Sequence, residues 1–220
     1  MFDEPVEAVI FDMDGTLIDS ESVYIIGMQD AALTLGLDLP IALCHAMVGV
    51  PSRECNQMLQ DHYGAGFDLA EFRGHFSTSV QRQMSERVPL KAGVIELLDF
   101  LAGKGLPIAI ATSAGRATAE RNLGRAGLLD RFAALATRDD VEHPKPAPDV
   151  YLEAARRLDV PPQQCAAFED SSIGILAAHA AGMRAVMVVD ILPPTDEARA
   201  KCLHVAQDLH EVLRLMNGHG

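Results

Sequence analysis

Asp12 and Asp14 stand two positions apart, directly after the apolar run Ala8-Val9-Ile10-Phe11 and directly before Gly15-Thr16. An isolated Asp-Gly pair is ordinarily a turn with its acid in water. Here two acids crowd behind a run that reads as a buried strand, and they repel each other unless a cation or a proton intervenes. Three further polar groups have comparable settings. Thr112-Ser113 follow Ile108-Ala109-Ile110-Ala111. Lys145 sits in the proline-punctuated stretch His143-Pro144-Lys145-Pro146-Ala147-Pro148-Asp149. Glu169-Asp170 follow Ala166-Ala167-Phe168.

Together these are the parts needed for phosphoryl transfer. A carboxylate nucleophile must approach a phosphate monoester that is itself anionic, which requires positive charge between and around them. Asp12, Glu169 and Asp170 offer the oxygen ligands that Mg²⁺ prefers. Lys145 adds a cation for the phosphate, and its prolines limit the ordering needed when substrate arrives. Thr112 offers a hydroxyl beside backbone N–H groups near a helix start, which suits an anion. Asp14 can protonate the leaving oxygen and later deprotonate water. Singly, Lys145 is an exposed loop lysine, Thr112 a helix cap and Glu169-Asp170 an acid pair favoured by a helix dipole. Jointly, in this order, they read as one site.

The elements that would position these groups alternate. Short apolar runs at 8–11, 108–111, 166–168 and 185–189, with a weaker one at 132–136, alternate with helical patterns from Pro89 onward. A final amphipathic helix carries Leu209, Val212, Leu213 and Met216. This alternation predicts an α/β fold, a parallel Rossmann-like sheet with helices on both faces. Ligands of such sheets bind at the carboxyl ends of the strands. Between the first strand and Pro89 the pattern is helical only. Ile25, Met28, Ala32 and Leu35 precede a stop at Gly36. Ser52 is placed to cap a helix with Cys55, Met58 and Leu59, ended by Gly64. Asp68 is placed to cap a third with Leu69, Phe72, Phe76 and Val80. A block this long is not an ordinary crossover. The expected organisation is a core of residues 1–17 and 90–220 with a small all-helical cap domain, 18–89, hinged near Leu17–Ser20 and Val88–Gly93.

The chain has 220 residues, 49% hydrophobic and 22% charged, as in a globular protein with one well-buried core and room for a small second domain. A net charge of −13 argues against a nucleic-acid partner, yet a local cationic pocket can still hold a small phosphorylated metabolite. Cys44, Cys55, Cys165 and Cys202 show no metal-ligand spacing and read as free thiols in a reducing compartment. With neither a signal peptide nor a membrane-length apolar run, a cytoplasmic protein without a membrane partner is expected, as a monomer. The first turn lacks Gly-x-Gly-x-x-Gly. Asp170-Ser171-Ser172-Ile173-Gly174 is a poor match to a serine-hydrolase elbow.

Asp12-Met13-Asp14-Gly15-Thr16, Thr112-Ser113, Lys145-Pro146-Ala147-Pro148-Asp149 and Glu169-Asp170-Ser171 resemble the four signatures of the haloacid dehalogenase-like superfamily. Its helical-cap subgroup, which contains sugar-phosphate phosphatases and β-phosphoglucomutase, is the nearest in pattern. The resemblance implies Asp12 as nucleophile through an aspartyl-phosphate and Asp14 as general acid/base. It implies Mg²⁺ held by the Asp12 carboxylate, the Asp14 backbone carbonyl and Asp170, with Glu169 assisting. Thr112, Ser113 and Lys145 would bind phosphate. Dehalogenases of the superfamily dispense with the metal and the second acid, so the acids present here count against dehalogenation.

The expected activity is therefore a Mg²⁺-dependent phosphatase for a sugar or sugar-acid phosphate. A β-phosphoglucomutase-type mutase is the alternative, and a non-catalytic phosphate- or metal-binding protein a third reading. Tyr24 stands where the mutase has a His, and Ala114-Gly115-Arg116 where it has Ser-Lys-Asn. Conversely, Gly49-Val50-Pro51-Ser52-Arg53-Glu54 is similar to the mutase cap loop, which makes Arg53 the candidate for cap substrate specificity.

Overall fold

The computed structural model describes residues 5–48, 50, 52–86 and 88–218. Six parallel strands form one sheet: β1 (Ala8–Phe11), β2 (Ile108–Ala111), β3 (Ala134–Ala136), β4 (Cys165–Glu169), β5 (Arg184–Val188) and β6 (His204–Ala206), in the spatial order β3-β2-β1-β4-β5-β6. The chain builds outward from β1 to one edge and then returns to build the other half from β4. The order thus reverses between β1 and β4, where α/β sheets leave a crevice for ligands. Register is set there by Val9↔Ala166 through Phe11↔Phe168, so the residues that follow, Asp12 and Glu169, emerge side by side.

Both faces of β1, β2 and β4 are buried, which explains runs without polar alternation. On one face Ala8, Ile10, Ala109 and Ala167 pack with Ala154, Ala155, Ala177 and Ala178. Those alanines come from α7 (Asp149–Leu158) and α8 (Ser172–Ala180). On the other, Phe11 meets Phe168 edge-on at 5.3 Å between ring centroids. α5 (Val94–Gly103) and α6 (Arg116–Arg125) precede and follow β2. α9 (Asp196–Lys201) and α10 (Leu209–Met216) close the chain around β6.

The expected strand over 132–136 is shortened to Ala134–Ala136, because Leu129–Arg131 forms a 3-10 turn just before it. β6 and α9 are additions to the sequence expectation. Neither a three-residue strand nor a six-residue helix whose apolar residues are only Ala198 and Ala200 carries a readable period.

The chain divides into two compact units, one from Ser20 to Val88 and the other from the residues on either side of it. The first is helical throughout: α1 (Ser20–Thr34), α2 (Ile41–Ala46), α3 (Ser52–Tyr63) and α4 (Leu69–Glu86). Ala31, Ala32, Leu39, Cys44, Leu59 and Phe72 form its core. Gly36 and Gly64 end α1 and α3 in the left-handed conformation, and Asp68 caps α4 by accepting from the Glu71 N–H at 2.9 Å. Ser52 is not a cap, since it already lies within the first turn of α3. In the sheet unit, the stretches before and after the helical insertion are paired. Lys91 N–H donates to the Leu17 carbonyl and Asp19 N–H to the Pro89 carbonyl.

Asp140 ties the β3 edge to α6 and α7. It accepts from Arg116 at 2.6 Å, Arg157 at 2.9 Å and the Thr137 hydroxyl at 2.7 Å, with its side chain only 16% exposed. Partial burial raises its pKa, but the bonds from Arg116, Arg157 and Thr137 outweigh that and hold it below the usual carboxylate range. A depressed folded pKa means that its stabilisation is full above pH ~4 and fades as the pH falls further. Asp140→Asn is therefore expected to cost about 2–3 kcal/mol near neutral pH. In urea denaturation, that difference from the parent should shrink between pH 6 and 3. A pH-independent difference would show that the charge contributes nothing.

Candidate active site

The site is built where β1 and β4 end. The Asp12 N–H donates to the Phe168 carbonyl at 2.9 Å, completing the ladder just before both chains leave the sheet. Lys145 arrives from the loop ahead of α7, with a cis Lys145–Pro146 peptide. Its Nζ donates to Asp12 Oδ1 at 2.6 Å and to Glu169 Oε2 at 2.7 Å. Both pairs are buried, with the lysine side chain 4% exposed. Asp12, Glu169 and Asp170 each bring a carboxylate oxygen to within 4.8 Å of the others. Groups more than 130 positions apart thus share one buried cluster.

Glu169 is saturated by protein donors. Oε2 accepts from Lys145 and from the Tyr151 hydroxyl at 2.6 Å, and Oε1 accepts from the Ser171 N–H and hydroxyl at 3.1 and 2.8 Å. Tyr151 is a fully buried residue of α7, its ring 4.9 Å from Lys145 Nζ. Sequence reasoning passed over it because it lies within the apolar stripe of α7. Thr16 donates its hydroxyl to Asp170 Oδ1 at 3.0 Å. Two glycines make room for these acids. A Cβ at Gly15, whose φ is +85°, would lie 2.3 Å from Asp170 Oδ2, and one at Gly174 would lie 2.0 Å from the Glu169 carboxylate.

Charge does not balance among these groups. Burial and the neighbouring Glu169 push Asp12 up to about 8 despite Lys145. Burial, Glu169 and Asp12 push Asp170 well above its ordinary value. Glu169, although buried, is held low by Lys145, Tyr151 and Ser171. Burial opposes the charge on Lys145, and Asp12 with Glu169 more than offsets it. Lys145 is bonded to Asp12 and Glu169 but not to Asp170, which is reached only by the field of Lys91, itself held by Asp190 at 2.6 Å.

Thr112 is buried, and its hydroxyl accepts from the Ala114 N–H at 3.0 Å, while Ser113 is exposed beside it. The start of α6 is less open to an anion than its position implied, because the Arg116 N–H already donates to Asp139 at 2.8 Å. The Arg116 guanidinium is likewise engaged, by Asp140 and the Leu135 carbonyl. Asp14 is half-buried beyond β1, bridged through its backbone to Ile18, and its carboxylate is not one of the three that cluster. In the helical unit, Arg53 is exposed in the first turn of α3. Gly49 and Pro51 of the segment compared with the mutase loop lie outside the described residues.

A parallel sheet with this strand order, carrying acids after β1 and β4 and a lysine loop between them, defines a class of hydrolase. The chain belongs to the haloacid dehalogenase-like hydrolase family, whose model matches residues 9–188. It is 34% identical over 181 residues to a phosphorylated carbohydrates phosphatase of Thermotoga maritima, covering 82% of this chain and 84% of that one. It is 35% identical over 188 residues to a fructose-1-phosphate phosphatase of Escherichia coli, covering 84% and 97%. Among solved structures, a family hydrolase from Deinococcus radiodurans with bound phosphate and sodium superposes with a TM-score of 0.87 at 25% identity, over 99% of this chain and 98% of that one. No helix among the described residues is long and apolar enough to cross a membrane.

Proposed function

We infer that this protein is a Mg²⁺-dependent phosphatase of a small phosphorylated metabolite, a sugar or sugar-acid phosphate, working through a phosphoryl group carried on Asp12. The observation that supports this reading most is Lys145 Nζ bridging Asp12 at 2.6 Å and Glu169 at 2.7 Å, with Asp170 completing the cluster. The phosphatases of phosphorylated carbohydrates and of fructose 1-phosphate among its relatives support the substrate class.

The donor set fits magnesium. It consists of carboxylate oxygens and holds more buried negative charge than Lys145 neutralises. Asp12, Asp170 and the Asp14 carbonyl would hold the ion. Glu169, its oxygens already taken, assists by fixing Lys145. When bound, the ion supplies positive charge between the anionic nucleophile and the anionic phosphate.

Lys145 holds one Asp12 oxygen, which orients the carboxylate. A carboxylate oxygen of Asp12 forms a bond to phosphorus as the bond to the leaving oxygen breaks, and Asp14 gives that oxygen its proton. Thr112, Ser113 and Lys145 bind the phosphoryl oxygens. Asp14 then takes a proton from water, whose oxygen attacks phosphorus. Inorganic phosphate departs and the free Asp12 carboxylate is restored.

The test is a panel of sugar and sugar-acid phosphates with an aryl phosphate, scored for free phosphate. Excess chelator is expected to abolish release and magnesium to restore it. Full activity in chelator would remove the metal, and no release from any member would remove the phosphatase. The mutase would instead convert β-glucose 1-phosphate, with its bisphosphate activator, into glucose 6-phosphate without free phosphate.

A further inference from the structure

Tyr151 is a buried titratable group that the mechanism above does not use. It lies in the first turn of α7, directly behind the proline-bounded lysine loop, and is fully buried. Val150, Ala154 and Ala155 are its buried neighbours on that helix. A phenyl ring would fill the place as well, whereas a buried hydroxyl costs free energy unless it is hydrogen-bonded. The hydroxyl is bonded, to Glu169 Oε2 at 2.6 Å. Burial and Glu169 push its pKa well above the ordinary value, so it keeps the proton that it donates.

That bond bears on Lys145 through a shared oxygen. Glu169 Oε2 accepts from Tyr151 and from the Lys145 ammonium at 2.7 Å, so its charge is divided between two donors. An ammonium has three donors. One goes to Glu169 and one to Asp12 at 2.6 Å. The third has the Tyr151 oxygen at 3.5 Å, beyond the ordinary range of an N–H···O bond. One lysine donor is thus loosely held inside a buried cluster, where an incoming anion can take it.

We propose that Tyr151 is a positioning residue for the phosphoryl group. By filling the second acceptor site on Glu169 Oε2, its hydroxyl keeps that carboxylate from drawing Lys145 away. The third ammonium donor then stays for a phosphoryl oxygen. This rests on the reading of Lys145 as a phosphate ligand, and Tyr151 acts only through Glu169 and Lys145.

Tyr151→Phe deletes the hydroxyl and keeps the ring. With magnesium, inorganic phosphate is expected to inhibit this variant about tenfold more weakly than the parent. For an aryl phosphate kcat/KM should fall by about tenfold, since a hydrogen bond to a charged group carries that factor or more. The loss should appear in KM as well as kcat, because bound substrate uses the same donor. In a Glu169→Gln background the same change should cost less than about threefold, because the hydroxyl acts through that carboxylate. A tyrosine that merely packs would leave phosphate affinity unchanged, and one that acts apart from Glu169 would give equal losses in both backgrounds. Either result overturns the proposal.

Labelling the lysines of the parent chain with ¹⁵N gives a check that needs no variant at position 151. The Lys145 Nζ signal, identified by its loss in Lys145→Arg, should move saturably as phosphate is added with magnesium. A signal unmoved at saturating phosphate would overturn the proposal. A parent with no turnover would remove the phosphatase reading, and phosphate titrations of the parent and Tyr151→Phe by ³¹P NMR would then decide this one. A parent that neither turns over nor binds phosphate would overturn both.

Discussion

Asp12→Asn is expected to lower hydrolysis of an aryl phosphate by about 10⁴-fold or more, in line with losing a catalytic group that acts as part of a unit. The same change should leave the melting temperature of the chelated protein unchanged or raised. Asp12 is buried and crowded by Glu169, which pushes its pKa up to about 8, so a neutral amide relieves repulsion rather than creating it. Lys145 keeps Glu169 as its partner. Kinetics and thermal denaturation on one preparation check both halves. Appreciable turnover would remove Asp12 as nucleophile, and a large fall in melting temperature would show that its loss disrupts the fold.

Lys145→Met is expected to fail in both respects. It leaves Asp12 and Glu169 buried without their shared cation, and removing one partner of a buried pair costs about 3–5 kcal/mol. Loss of the cation from the phosphate site should also reduce kcat/KM by roughly 10³-fold. The double variant Lys145→Met/Asp12→Asn separates the effects. Removing the second charge should restore part of the lost stability and none of the activity, a non-additivity expected of side chains in direct contact. Urea denaturation and steady-state kinetics on the four proteins measure it, and strictly additive stabilities would contradict a shared buried network.

The strand ends that carry the site were legible because β1, β2 and β4 are short apolar runs buried on both faces, each followed by polar residues. What those residues touch was less legible. Nothing local aligns Phe11 with Phe168, so the adjacency of Asp12 and Glu169 appears only in the sheet register. The expected roles of Lys145 and Glu169 give no sign of their bonds within the protein, Lys145 to Asp12 and Glu169, and Glu169 to Tyr151 and Ser171. Tyr151 was hidden because a buried hydroxyl inside an apolar stripe looks like core. The bonds that occupy the Arg116 guanidinium, to Asp140 of the Thr137–Asp140 turn and to the Leu135 carbonyl, have no local signal in the sequence. The helices α2 and α9 and the strand β6 are too short to show a period at all.

The most direct measurement is chemical capture of the acyl phosphate. The enzyme, turning over an aryl phosphate with magnesium, is quenched into hydroxylamine, which converts an aspartyl phosphate to a hydroxamate that peptide mass mapping can place. A hydroxamate on Asp12, absent from Asp12→Asn and from enzyme without substrate, is the predicted result. Turnover with no hydroxamate on Asp12, or with the modification on another acid, would contradict an Asp12 nucleophile.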